Sequence, residues 1–235
     1  MGRQILFRAD VLEEIRAELP GGKDRHWIAP LDLADADALL DKAQSLLAKV
    51  GGIDILINNG GISQRSMFLE TDFSVYRRIM EVNYFGTVAL TKAVLPGMVQ
   101  RKSGCVVSIS SVAGKVGSKL RTGYSGSKYA VVGFMGCLRA ETHQYGIHCL
   151  TVFPGFIKTN IAVNALDATG NPQQRNDEVI ENGMSVEECC EKIIKAIEKH
   201  KDEVIIGKGF SALAPTIKRF FPKLFNYISA RKEYR

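Results

Sequence analysis

The chain has 235 residues, 46% hydrophobic and 24% charged, the balance of one soluble α/β-sized core rather than of a disordered, repetitive or collagen-like sequence. No uninterrupted apolar run reaches about 18 residues and the opening MGRQILFRADVLEE lacks a signal-peptide pattern, so neither a spanning helix nor a secretory leader is expected. The net charge of +6 arises between Lys208 and Arg235, where seven basic residues accompany one acid; the balanced remainder argues against a nucleic-acid-binding face.

In chain order, Gln4–Arg8 is a strand candidate, followed by a helical pattern through Leu12, Ile15 and Leu19 that stops at Pro20-Gly21-Gly22. His26–Leu31 reads as a second strand. A helix over about 35–50 puts Leu39, Leu40, Ala43, Leu46 and Leu47 on one face and ends at Gly51-Gly52. Residues 53–57 form a buried strand running into Asn58-Asn59-Gly60-Gly61. A long helical region covers about 72–100, then Cys105–Ile109 is a strand ending in Ser110-Ser111. Tyr124 to Tyr145 has helical periodicity, and His148–Phe153 is a strand stopped by Pro154-Gly155. An irregular stretch reaches about Gly183. Ser185-Val186-Glu187-Glu188 has capping-box spacing and opens a helix to about His200, and Val204–Ile206 is a last strand. Strands alternating with helices predict βαβ units, a parallel sheet and a three-layer α/β sandwich.

Cys105, Cys137, Cys149, Cys189 and Cys190 are odd in number and irregularly spaced, which predicts free thiols. The four histidines pair with no carboxylate at ligand spacing, so no metal is expected.

The polar segments that stand out follow strand ends: Asn58, Ser111 and Pro154-Gly155. In open α/β sheets ligands bind at those ends. Tyr124 and Lys128 are four apart on a helix and share a face. A phenol is a poor acid or base at neutral pH, and a nearby cation favours its phenolate. That spacing alone fits a surface pair equally well. Its context is more specific: Ser111 lies thirteen residues earlier at a strand end, Asn83 sits inside the long helix, and Pro154-Gly155-Phe156-Ile157-Lys158-Thr159 follows the next strand.

These segments together resemble the short-chain dehydrogenase/reductase family, whose NNAG, helical N, S, YxxxK and PGxxxT pattern is matched in order from about Asp32 to Thr159. The resemblance implies a Rossmann-like doubly wound parallel sheet and an NAD(P)-dependent oxidoreductase acting on a carbonyl or secondary alcohol. It makes Tyr124 the general acid and base, Lys128 the residue that binds the nicotinamide ribose and tunes Tyr124, and Ser111 the holder of the substrate oxygen. Asn83 would keep a water in line with Lys128. Asn58 and Gly60 would lie along the cofactor, with Gly60-Gly61 in place of the family's Ala-Gly. Ile157 and Thr159 would meet the nicotinamide half. Asp32 would meet the adenine edge, or is a turn or cap acid.

The family's glycine-rich TGxxxGxG turn and first strand are missing from the pattern, so a shortened member is expected, with residues 1–207 as the domain and 208–235 as a basic tail. Arg8, at the end of the first strand candidate, suits an adenosine 2′-phosphate and tilts the expectation to NADP over NAD; a surface arginine is the alternative. The lid over 160–183, with Ile161, Val163 and Leu166, suggests a hydrophobic carbonyl or alcohol substrate. Lid and tail look most like the dehydrogenase/reductase member 7 and 7B group, which implies the cytoplasmic side of a membrane. Ile217, Phe220, Phe221, Leu224, Phe225 and Ile228 form an amphipathic pattern that lies on lipid, packs on its own domain or meets a second subunit. A homo-oligomer is a family expectation. Two other classes remain: an epimerase or dehydratase using the same Tyr/Lys pair, and a non-catalytic or cofactor-impaired binding protein.

Overall fold

The computed structural model describes residues 9–231. Helices α1 (Ala9–Glu18) and α2 (Gly22–Arg25) lead through an extended segment to α3 (Ala36–Val50). Asp35 caps α3, its carboxylate accepting the Ala38 N–H at 3.1 Å, and Gly51 ends it at φ 82°, a left-handed geometry that favours glycine. Strand β1 (Ile55–Asn58) follows, then α4 (Phe73–Met80), a π turn over Glu81–Phe85 and α5 (Gly86–Arg101). The long predicted helix is thus continuous but widened at Asn83, and such π turns mark functional positions.

Strand β2 (Gly104–Ile109), α6 (Thr122–Thr142), β3 (Ile147–Pro154), the short α7 (Glu178–Glu181), α8 (Val186–Glu198) and β4 (Glu203–Ile206) complete the α/β part. As predicted, Ser185 caps α8, accepting the Glu188 N–H at 3.2 Å.

The sheet is parallel throughout, in the order β1-β2-β3-β4. Strand side chains alternate between two cores. Val106 and Cys149 pack with Val94 and Met98 of α5 and Val131, Met135 and Leu138 of α6 on one face. Cys105, Val107, Leu150 and Val152 pack with Cys189 and Ala196 of α8 on the other. Helices on both faces of a parallel sheet make the expected three-layer α/β architecture.

One expected strand is not there. Residues 26–31 run without sheet pairing, although His26 itself is extended. A strand needs a neighbour with free backbone groups. The segment instead stands off from the open edge of β1, across a cavity of about 470 Å³ lined by Leu12, Ala29, Pro30, Leu31, Leu33, Ile57 and Asn58 among others. The strand candidate Gln4–Arg8 lies outside the described residues. On β1, Ile55 and Ile57 are about half exposed (50% and 51%), because α8 does not extend over them and no described strand pairs with that edge.

The basic tail folds as two helices, α9 (Phe210–Phe220) and α10 (Pro222–Arg231), with Pro222 at the first helical position of the second. Ala214 and Phe225 are buried against Val112 and Val116, so this segment packs on its own α/β unit.

Candidate active site

Helix α6 carries Tyr124 and Lys128 on one buried face, at 8% and 5% exposure. The Lys128 Nζ lies 5.9 Å from the Tyr124 ring centroid and donates to the Ile109 carbonyl at 2.9 Å. Burial lowers the Lys128 pKa from the ordinary 10.5 to about 8. Burial raises the Tyr124 phenol, while a hydrogen bond with Ser111 and the charges of Arg121 and Arg65 pull it back. Ser111 stands just beyond β2 in extended backbone; its Oγ accepts the Ala113 N–H at 3.1 Å and approaches the Pro154 carbonyl at 3.4 Å. Tyr124, Lys128 and Ser111 are therefore brought together at the carboxyl end of the sheet.

Asn83 ties the segment after β1 to helix α6 through its amide. Its Oδ1 accepts the Ile62 N–H at 2.8 Å, and its Nδ2 donates to the Ile62 carbonyl and to Ser127 Oγ, both at 2.9 Å. The π turn aims it at the segment after β1. A Cβ on Gly61 would stand 3.1 Å from Asn83 Oδ1 and 3.4 Å from Lys128 Nζ, so glycine here leaves the space between them open. Gly60 permits another close approach: a Cβ there would meet the Leu33 side chain at 2.3 Å.

Asn58 ties β1 inward, its Nδ2 donating to Thr91 Oγ1 at 3.1 Å and to Ser108 Oγ at 3.4 Å, while its buried Oδ1 has no hydrogen-bond partner. Ile157 and Thr159 line the same cavity as Lys128. Asp32 closes its own turn, accepting the Ala34 N–H at 2.9 Å, and lines no cavity described here. Arg8 lies outside the described residues.

Two cavities meet at Ser111 and Tyr124. One, of about 260 Å³, is lined by Asn59, Gly61, Lys128, Ile157, Thr159, Cys189 and Cys190 among others. The other, of about 80 Å³, is walled by Val112, Val116, Ile161, Phe210 and Phe225, with Arg65 and Arg121 at its polar side. The larger chamber, with a lysine, a threonine and close-approaching glycines, suits a nicotinamide riboside. The slot beside β1 is different. Leucine, alanine and proline dominate its lining, and among the described residues no glycine-rich helix start borders it to supply the donors a diphosphate requires.

The sequence reading missed the charged group on the smaller chamber. Arg65 Nε and Nη2 donate to Asp177 Oδ2 at 3.0 and 2.7 Å, and Arg121 Nη2 reaches the same oxygen at 3.4 Å. Arg121, three residues before Tyr124 at the start of α6, was visible in the sequence as a charge close to that residue. The partner Asp177 was not, because it lies 112 residues from Arg65 within the irregular lid.

Comparison with known proteins gives a consistent result. The sequence model for short chain dehydrogenase matches residues 4–170. The chain is 39% identical over 231 residues to dehydrogenase/reductase SDR family member 7B of Mus musculus, covering 98% of this chain and 72% of that protein. It is 40% identical over 230 residues to dehydrogenase/reductase SDR family protein 7-like of Anopheles gambiae, covering 96% and 73%. Among solved structures, a short-chain dehydrogenase from Streptomyces avermitilis superposes with a TM-score of 0.79 at 28% identity, covering 96% of this chain and 86% of that one. A Beutenbergia cavernae protein described as an NAD(P)-dependent gluconate 5-dehydrogenase, with NADP bound, gives 0.62 at 28% identity over 66% of this chain and 61% of that one. The fold, the site order and these relatives agree: the chain belongs to the short-chain dehydrogenase family of oxidoreductases, in the company of its member 7B relatives.

Proposed function

We propose that the chain interconverts a hydrophobic carbonyl compound and its secondary alcohol, using NADP in preference to NAD, with Tyr124 as general acid and base. The observation that carries this reading is that Ser111 and Tyr124 together line the junction of the two chambers, with Lys128 beneath the ring. A nicotinamide dinucleotide, when bound, supplies hydride exchange with the substrate carbon. Lys128, Ile157, Thr159 and the backbone at Gly60 and Gly61 are the residues that would hold its nicotinamide half. Ser111 fixes the substrate oxygen by donating to it, and Tyr124 gives that oxygen its proton in reduction or removes it in oxidation. Asn83 holds the Ile62 loop against α6 and keeps the space beside Lys128 open for a water that returns the proton.

The preference for NADP rests on Arg8 and on the NADP-bound relative. The apolar wall of Val112, Val116, Ile161, Phe210 and Phe225 supports a hydrophobic substrate. Turnover of a carbonyl panel with NADPH should fall at least about a hundredfold in Tyr124→Phe, since one positioned acid or base contributes about 10²–10⁴; full activity in that variant defeats the proposal.

A second reading, a binding protein impaired in cofactor use, is favoured by one observation: the apolar slot where diphosphate donors would be needed. Saturable quenching on NADPH titration separates the two, because the second reading expects none.

Within this proposal residues 1–207 act as the catalytic unit and 208–235 as a basic segment that also meets a membrane surface on its cytoplasmic side. Leu213 and Phe220 of α9, Phe221 between the helices, and Leu224 and Tyr227 of α10 are exposed near Arg219 and Lys223, the composition of an interfacial segment. No helix among the described residues is long and apolar enough to cross a membrane. Flotation with anionic liposomes should be lost when Phe220 and Phe221 are both changed to Ser. A homo-oligomer belongs to the same proposal and is tested by sedimentation.

A further inference from the structure

Three charged side chains crowd the polar side of the smaller chamber. Arg65, Asp177 and Arg121 are 6%, 5% and 9% exposed, and both guanidiniums bond one carboxylate oxygen. Removing three ions from water is costly, and packing alone would be served as well or better by apolar residues of similar size. Such a cluster beside a reactive group is a candidate for function rather than for stability. The surrounding structure holds it in place. Arg65 also donates from Nη1 to Ser63 Oγ and to the Gln64 carbonyl, each at 2.8 Å. Arg121 precedes α6 as its N-cap residue, its carbonyl accepting the Ser125 N–H at 2.7 Å, and its guanidinium carbon lies 5.9 Å from the Phe156 ring centroid.

We propose that Arg121 and Arg65, pinned by Asp177, are positioning residues that stabilise the phenolate form of Tyr124 from the substrate side of the ring. This deepens the reading of Tyr124 as acid and base. Lys128 stands under the ring, its Nζ 5.9 Å from the centroid, and supplies positive charge from that side alone. The two arginines keep their charge at every working pH. Among the described residues, the charged groups around Tyr124 are Lys128 from its own helix, Arg121 from the start of that helix, Arg65 from the segment after β1, and Asp177 from the start of α7. The wall from α9 and α10 presents Phe210, Ser211, Ala214, Phe225 and Ser229, none of them charged. The direction agrees: the positive charges of Arg121 and Arg65 oppose the rise that burial imposes on the phenol.

The test needs neither substrate nor cofactor. Tyrosinate formation is followed by ultraviolet difference spectroscopy of the full chain against its Tyr124→Phe counterpart, with circular dichroism confirming the fold across the titration. Arg121→Met and Arg65→Met should each move the Tyr124 midpoint upward by about half a unit or more, a roughly threefold loss of phenolate at a fixed pH below it. Arg121→Lys, which keeps the charge, should leave the midpoint near wild type. Arg121→Gln, which keeps an N–H donor for Asp177, makes the same measurement if the methionine variant does not fold. An unchanged midpoint in the charge-deleting variants, or an equal shift in Arg121→Lys, overturns the inference. Because turnover is not read, that outcome leaves the proposed reaction standing; conversely, full activity in Tyr124→Phe defeats the reaction without touching the titration.

Discussion

Lys128 has a buried ammonium whose pKa is pulled from 10.5 to about 8, with the Ile109 carbonyl as its hydrogen-bond acceptor. Between those two values the unfolded chain binds more protons than the folded one. Stability from this residue therefore rises as pH climbs from about 8 to 10.5, and is withheld below about 8, where the folded protein must carry a buried charge. Wild type should gain on Lys128→Met over that window by up to roughly 3 kcal/mol. Urea unfolding of both proteins at several pH values checks this, and a constant difference from pH 7 to 10.5 refutes it. Much of the chemistry at this scale was legible in the sequence. Tyr124, Lys128, Ser111 and Asn83 occur at spacings that local structure turns into geometry: one helix face, one strand end, one helical turn. Asp177 was illegible for the opposite reason, since only the folded lid carries it to Arg65 and Arg121. Asn58 lay between these cases; its strand-end position was readable, but not the inward turn of its amide toward Thr91 and Ser108.

Among the elements, β1 is the one whose surroundings least match its composition. Parallel strands are usually covered on both faces, which is why Ile55-Leu56-Ile57 reads as buried in sequence. Here only Leu56 faces a packed core, while Ile55 and Ile57 point to a side that no described element covers, on an edge that no described strand pairs. An open apolar edge invites pairing between molecules. Ile57→Lys should reduce self-association of the full chain, read as a larger monomer fraction in sedimentation velocity. Its unfolding free energy should change by no more than about 0.5 kcal/mol, as for an ordinary surface substitution. A loss beyond about 2 kcal/mol would mean that Ile57 is covered in solution. Element types came from periodicity and caps, as at Ser185. Where a reading failed, at residues 26–31, the reason was tertiary: extended backbone becomes a strand only beside a partner edge.

At the scale of the whole molecule, the two sides of the sheet's carboxyl end are unequally built. From β1 to β4 the strand ends carry Ser111, Pro154, Gly155 and the chamber that reaches Lys128 and Thr159. Beyond β1 lies the slot of about 470 Å³ lined by Leu12, Leu31, Leu33 and Ile57. Binding a dinucleotide tightly draws on both sides, the diphosphate through backbone donors and a helix start and the nicotinamide riboside through side chains and glycines. Among the described residues the second set is present, and the slot beyond β1 is lined mainly by apolar side chains. Reduced nicotinamide mononucleotide should therefore bind within about tenfold of NADPH, a difference of only about 1.4 kcal/mol for the whole adenosine-diphosphate half. Competition of both ligands for the same quenching signal measures the ratio. A preference for NADPH of about a thousandfold or more would show that the slot rearranges into a working diphosphate site, and the unequal-halves account of this molecule would then be wrong.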